Sequence, residues 1–133
     1  MTLCISRSLL GRIVSLAAAE KDEICGLLLG GAGRISAIRT AANVAADPAI
    51  HFEIDPAVLI AAHREARAGG PAVIGHYHSH PSGYPLPSAT DMASAVPDGS
   101  YWMIVAAGGA RLWRAEPGEA GGVRFAAAAL DIM

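Results

Sequence analysis

Hydrophobic positions change their spacing several times along the chain, and each change marks an element. Residues 2–5 form a short apolar segment that reads as a strand. Ser6 then stands as a helix cap, and Leu9, Leu10, Ile13, Val14, Leu16 and Ala17 recur at helical spacing, predicting a helix over about 7–20. Residues 23–30, one carboxylate followed by a nearly unbroken apolar run, have the pattern of a largely buried strand. Gly30, Gly31 and Gly33 supply a tight turn, and 34–40 returns with alternating polarity, so a hairpin is expected.

The second half continues the alternation. Asp55-Pro56 is a strong helix start, a capping carboxylate followed by proline at the first helical position. Val58, Leu59, Ala62 and Ala66 give this helix an apolar face, and Gly69-Gly70 ends it. Residues 71–77 read as a strand, followed by a loop rich in Pro, Ser and Gly and a short helix from about Ser88. Residues 101–107, 110–115 and 121–125 predict three closing strands, the first two joined at Gly108-Gly109. The order gives an α/β (mixed αβα) fold with a central sheet flanked by helices. With no internal repeat, linker or low-complexity tract, residues 1–133 read as a single domain.

Composition narrows the function classes. Hydrophobic residues make up 53% and charged residues 17%, enough apolar surface to offset chain entropy and exclude disorder. No apolar run approaches the roughly 18–20 residues of a spanning helix, and arginines interrupt the first apolar stretch, unlike a signal peptide. A cytoplasmic protein without a membrane partner is expected. The net charge is −2 with dispersed arginines, so no basic stripe suggests nucleic acid. Cys4 and Cys25 are too few for a disulfide framework and read as small packing residues.

The chemistry concentrates in residues 75–91. His76, His78 and His80 alternate, so on a strand all three face one side. Neighbouring members lie about 6–7 Å apart at Cα, close enough for two imidazoles to share an ion, whereas His76 and His80 stand about 13 Å apart. A histidine pair needs a third ligand, and Asp91, brought back by a loop containing Gly83, Pro81, Pro85 and Pro87, can supply it. Two imidazoles and one carboxylate leave a fourth position open, as in catalytic rather than structural zinc sites. Ser88 and Asp91, three apart, also fit a helix-capping box, which alone would explain both. Glu23, at the mouth of an apolar strand, is a candidate general base or a strand-edge carboxylate paired with Lys21 or an arginine. Ser88 is a candidate donor to an oxyanion. His76 reads as a packing residue rather than a ligand, and Cys25 as a buried packing thiol. His51 and His63 receive no role.

These residues resemble the signature of the JAMM (MPN+) metallopeptidases: a distant Glu, then His-[Ser/Thr]-His, seven residues, Ser, two residues, Asp. Here His78-Ser79-His80 is followed by residues 81–87, Ser88, Ala89-Thr90 and Asp91, and Glu23 opens the stretch Glu-Ile-Cys-Gly-Leu-Leu-Leu-Gly. The likeness runs from about Leu3 to Trp113. It implies one Zn2+ on His78, His80 and Asp91, Glu23 as general base and acid, and Ser88 as oxyanion support. It also implies a curved mixed sheet between helices, the cytidine-deaminase-like JAMM core. The substrate class it implies is a ubiquitin-like protein, for a small stand-alone member a sulfur carrier whose Gly-Gly tail is freed by peptidase or isopeptidase cleavage. Other readings of the same motif are a deubiquitinase-like member of a bacterial defence operon, a RadC-like DNA-repair-associated protein and a non-catalytic MPN scaffold. Against the RadC type stand Ser79, where those proteins usually carry Asn, and the lack of their helical DNA-binding region. Against the scaffold stands the complete ligand set. The oligomeric state is not fixed by the sequence.

Overall fold

The computed structural model describes residues 1–107 and 109–133. The strands are β1 (Thr2–Ile5), β2 (Cys25–Gly31), β3 (Arg34–Ala41), β4 (Ala72–Ser79), β5 (Tyr101–Ala106), β6 (Gly109–Pro117) and β7 (Val123–Ile132). The helices are α1 (Arg7–Ala18), α2 (Pro56–Arg67) and α3 (Ala89–Ser94). Gly108 of the turn expected between β5 and β6 lies outside the described residues. The local start signals act as expected. Ser6 Oγ accepts from the Leu9 N–H at 3.1 Å, and Asp55 Oδ1 accepts from the Ala57 N–H at 3.0 Å with Pro56 opening the helix.

The strands lie in the order β1-β3-β2-β4-β5-β6-β7, and β1 pairs with β7 to close the sheet on itself. β1 runs parallel to both β3 and β7, β4 runs parallel to β5, and the other pairs are antiparallel. Closure goes beyond the flanked sheet read from the sequence, and it depends on β7 running on to Ile132 rather than ending near Phe125.

Alternation along each strand separates two cores. Leu3, Ile5, Leu28, Ile35, Tyr77, Met103 and Val105 line one face and pack with Ile13 of α1, while Leu27 and Leu29 on the other face pack with Ala62 of α2. Gly26 belongs to the first face, where its partner across the ladder is Tyr77. A Cβ there would stand 2.3 Å from the Tyr77 ring, so the ring fits only over glycine. On the other face, Leu27 lies opposite His76 and Cys25 opposite His78. The histidines therefore project from the α2 side of the sheet. No helix among the described residues is long and apolar enough to cross a membrane.

Candidate metal centre

β4 delivers His78 fully buried at its C-terminal end, and the chain leaves the ladder at His80-Pro81. Phe52 stacks on the His78 ring with centroids 4.2 Å apart and planes 17° apart. This fixes the ring, although His78 Nδ1 is buried with no hydrogen-bond partner among the described residues. His80 is oriented differently. Its Nδ1 lies 2.8 Å from the Tyr84 carbonyl, which can only accept, so the proton sits on Nδ1 and Nε2 presents a lone pair.

Asp91 comes from the first turn of α3, and its geometry joins the two explanations that the sequence allowed. Ser88 Oγ accepts from the Asp91 N–H at 3.0 Å, and Asp91 Oδ2 accepts from the Ser88 N–H at 2.9 Å, a complete capping box. The same carboxylate lies 3.3 Å from His78 Nε2 and 3.2 Å from His80 Nε2, while the two Nε2 atoms are 3.1 Å apart. Zn–N and Zn–O distances of about 2.0–2.1 Å at tetrahedral angles imply ligand separations of about 3.3 Å. A lone pair of His80 thus faces a second imidazole and a carboxylate, an arrangement that a cation stabilises. The donor set and its spacing fit Zn2+. Burial opposes charge on Asp91, but bonds from His78 and His80 when their Nε2 atoms carry a proton, together with the Ser88 N–H, outweigh it and hold the carboxyl well below its ordinary range. Burial lowers the pKa of His78. His80 is raised by its bond to Asp91 against desolvation, a proton affinity with which a metal ion competes.

Glu23 lies just before β2, buried, with its carboxylate within 4.8 Å of the donor nitrogens of both His78 and His80. It makes no ion pair among the described residues, so the pairing with Lys21 or an arginine is absent there, and it does not touch the histidines as Asp91 does. Burial, helped by the Asp91 charge and opposed by His80, raises its pKa from 4.5 to about 7. The carboxylate is set back from the histidine nitrogens that Asp91 approaches, a place from which it can take up or release a proton. Ser88 Oγ, having accepted one bond, keeps its own proton free to donate.

The remaining candidates fall into place. The His76 ring meets Trp102 edge-on with centroids 4.3 Å apart, a packing position, and burial pushes its pKa down to about 3. Cys25 Sγ points toward the carbonyls of Ala41 and Ala42 at 3.8 and 3.7 Å, and burial raises its pKa to about 11, an inert thiol. His51 and His63 are exposed. His80 and Pro81 wall two open clefts. One is lined mainly by Val14, Ala17, Ala18, Val105 and Ala106; the other passes Glu23, Ala49, Ile50, Ser82 and Ser88.

Sequence reasoning missed Asn43 and Phe52, both between β3 and α2, and it gave Ser79 no task. The available signal was chemical. An Asn in a loop commonly bonds nearby backbone, and a lone aromatic in a polar stretch needs something to cover.

The profile for prokaryotic homologs of the JAB domain matches residues 6–123. The chain belongs to this family. It is a small JAMM/MPN+ member by the ligand spacing described above. A desampylase of Haloferax volcanii is 37% identical over 84 residues, 62% of this chain and 60% of that protein, so the match spans less than two thirds of the relative's length. A desampylase of Pyrococcus furiosus is 32% identical over 104 residues, 78% of this chain and 74% of that protein. A solved structure from Desulfitobacterium hafniense superposes with a TM-score of 0.78 at 22% identity, covering 99% of this chain and 94% of the other, a likeness of fold.

Proposed function

We propose that this JAMM-family chain is a zinc-dependent peptidase or isopeptidase that hydrolyses the bond after the C-terminal Gly-Gly tail of a ubiquitin-like protein, in particular a sulfur carrier. The observation that carries the reading is the convergence of His78 Nε2, His80 Nε2 and the Asp91 carboxylate at 3.1–3.3 Å, with the Glu23 carboxylate standing behind them. His78, His80 and Asp91 hold Zn2+, which when bound polarises a carbonyl and makes water acidic enough to attack near neutral pH. Glu23 takes the proton of the attacking water and passes it to the leaving amine. The Ser88 hydroxyl donates a hydrogen bond to the oxygen of the attacked carbonyl and keeps its proton.

Support for the substrate class comes from the two desampylases and from the shape of the approach. Both clefts beside His80 are open and floored largely by small side chains, which suits an extended tail with no side chains to bury. The test is incubation of the zinc-loaded protein with a ubiquitin-like sulfur carrier bearing a C-terminal extension, and with one joined through an isopeptide bond to lysine. Intact mass should show a product ending in Gly-Gly in at least one arm. No cleavage in either arm, at full zinc occupancy, removes the proposal.

A further inference from the structure

The peptide unit joining Glu23 to Ile24 lies just outside the β2 ladder, whose pairing begins at Cys25. No ladder pair therefore sets its plane; two side chains do, Ser79 at the end of β4 and Asn43 in the loop after β3. The Ile24 N–H donates to Ser79 Oγ at 2.9 Å, and the Glu23 carbonyl accepts from Asn43 Nδ2 at 2.8 Å. The preceding Glu23 N–H donates to the Pro48 carbonyl at 2.8 Å, and the Ser79 N–H returns to the Ile24 carbonyl at 3.1 Å. Each backbone polar group flanking the Glu23 side chain is thus held from outside its own strand.

Asn43 is committed entirely to this arrangement. Its Nδ2 also donates to the His51 carbonyl at 2.9 Å, and its Oδ1 accepts from the Ala45 and Glu53 N–H groups at 3.1 Å each. Two carbonyls at one end and two N–H donors at the other fix the orientation of the amide. The loop so tied carries Pro48, which holds the Glu23 N–H, and Phe52, which stacks on His78. Ser79 stands between His78 and His80, so the strand that presents the imidazoles also grips the residue after Glu23.

We propose that Asn43 and Ser79 are positioning residues that clamp the Glu23–Ile24 peptide and thereby aim the Glu23 carboxylate at the histidine pair. The inference rests on the hydrolase reading above for its purpose, and on the hydrogen bonds for its substance. A glutamate side chain swings with the peptide plane that bears it, and misplacing a reacting group by about 1 Å costs about 100-fold in rate.

The experiment uses the zinc-loaded full chain with Ser79→Ala, Asn43→Ala and Asn43→Asp. The last keeps an oxygen for the Ala45 and Glu53 N–H groups and replaces the donors with a carboxylate oxygen that the Glu23 and His51 carbonyls repel. Amide hydrogen exchange needs no substrate. In Ser79→Ala the Ile24 amide should exchange about 10-fold faster or more, while Leu27 and Leu28 in the ladder keep their protection. Crystal structures of Ser79→Ala and Asn43→Asp should show the Glu23 carboxylate displaced or in a second rotamer, at unchanged zinc stoichiometry. In turnover, kcat should fall about 10–100-fold with KM retained, Ser79→Thr should recover most of it, and neither substitution should lower the residual rate of Glu23→Gln further. Unchanged Ile24 exchange, an unmoved carboxylate, loss of zinc, or an equal further loss in the Glu23→Gln background overturns the clamp. If the wild type cleaves no Gly-Gly tail, the hydrolase reading fails by itself, and exchange and carboxylate position still decide the clamp.

Discussion

Asp91 Oδ2 accepts the Ser88 N–H at 2.9 Å while lying 3.2 Å from His80 Nε2, so one carboxylate oxygen serves both a helix cap and the centre. A carboxylate has about four lone-pair sites, which makes the two tasks compatible. The reciprocal bond from the Asp91 N–H to Ser88 Oγ locks the turn, and the capping box thereby sets the rotamer in which Asp91 meets the histidines. The cap and the proposed ligand position, competing explanations in the sequence, share one geometry.

Asp91→Asn and Asp91→Ala should separate these tasks. The asparagine keeps an oxygen for the Ser88 N–H but gives up the charge that His78 and His80 favour, so the zinc-free protein should lose stability near neutral pH from that cause alone. It replaces an anionic donor with a neutral amide, and zinc affinity should fall by about 100-fold or more. Alanine removes both functions and should cost about 1 kcal/mol of stability besides. Zinc titration and thermal melts of the zinc-free variants check this; equal melting temperatures for the two would deny the cap its contribution.

Glu23→Gln should keep about one zinc per chain and lose hydrolysis by a factor of about 100–10,000, because a proton carrier is removed and a ligand is not. Metal analysis beside single-turnover cleavage measures both. Near-wild-type turnover assigns the proton transfer to another group.

The same substitution should reveal the cost of burying Glu23. Its folded pKa, about 7 in the metal-free protein, stands above the ordinary 4.5. Between those values the folded chain retains a proton that the unfolded chain has released, so stability falls as pH rises through this window. Glu23→Gln removes the titration. Zinc-free Glu23→Gln should match the wild type near pH 4.5 and exceed it at pH 8, by up to about 3 kcal/mol. Zinc favours the carboxylate and should shrink the difference. Parallel melting curves for wild type and variant from pH 4.5 to 8 would contradict this account.

What the sequence made legible was local or spaced. Ser6 and Asp55-Pro56 mark their helices through bonds to residues two or three positions on, and such signals need no tertiary knowledge. His78, His80 and Asp91 could be read from alternation and spacing, with Asp91 left ambiguous until the family pattern was applied. Closure of the sheet was hidden, because β7 continues through Ala126, Ala127, Ala128 and Ala129, residues of low strand propensity, and pairs with β1 from the opposite end of the chain. Asn43 and Ser79 were hidden for a related reason. Their bonds to Glu23 and Ile24 cross 20 and 55 positions, and no periodicity records a side chain that reaches a backbone so far away.

Gly26 connects the packing to the centre and supports a last prediction. Its ideal Cβ would lie 2.3 Å from Cζ and Oη of Tyr77, a ring only 1% exposed, so Gly26→Ala cannot be absorbed by turning the ring outward. β2 and β4 must separate locally, and β4 carries His78 on its opposite face. Overpacking of this kind costs about 1–3 kcal/mol, and the shift should also weaken zinc binding. Tyr77→Leu removes the obstructing ring while leaving an apolar side chain. The pair Gly26→Ala and Tyr77→Leu should therefore be less destabilising than the sum of the single changes, a coupling of 0.5 kcal/mol or more by the usual scale of contacting residues, about 0.5–3 kcal/mol. Denaturant melts of the four proteins in the cycle measure it. Simple additivity would mean that the glycine answers to some constraint other than the tyrosine ring.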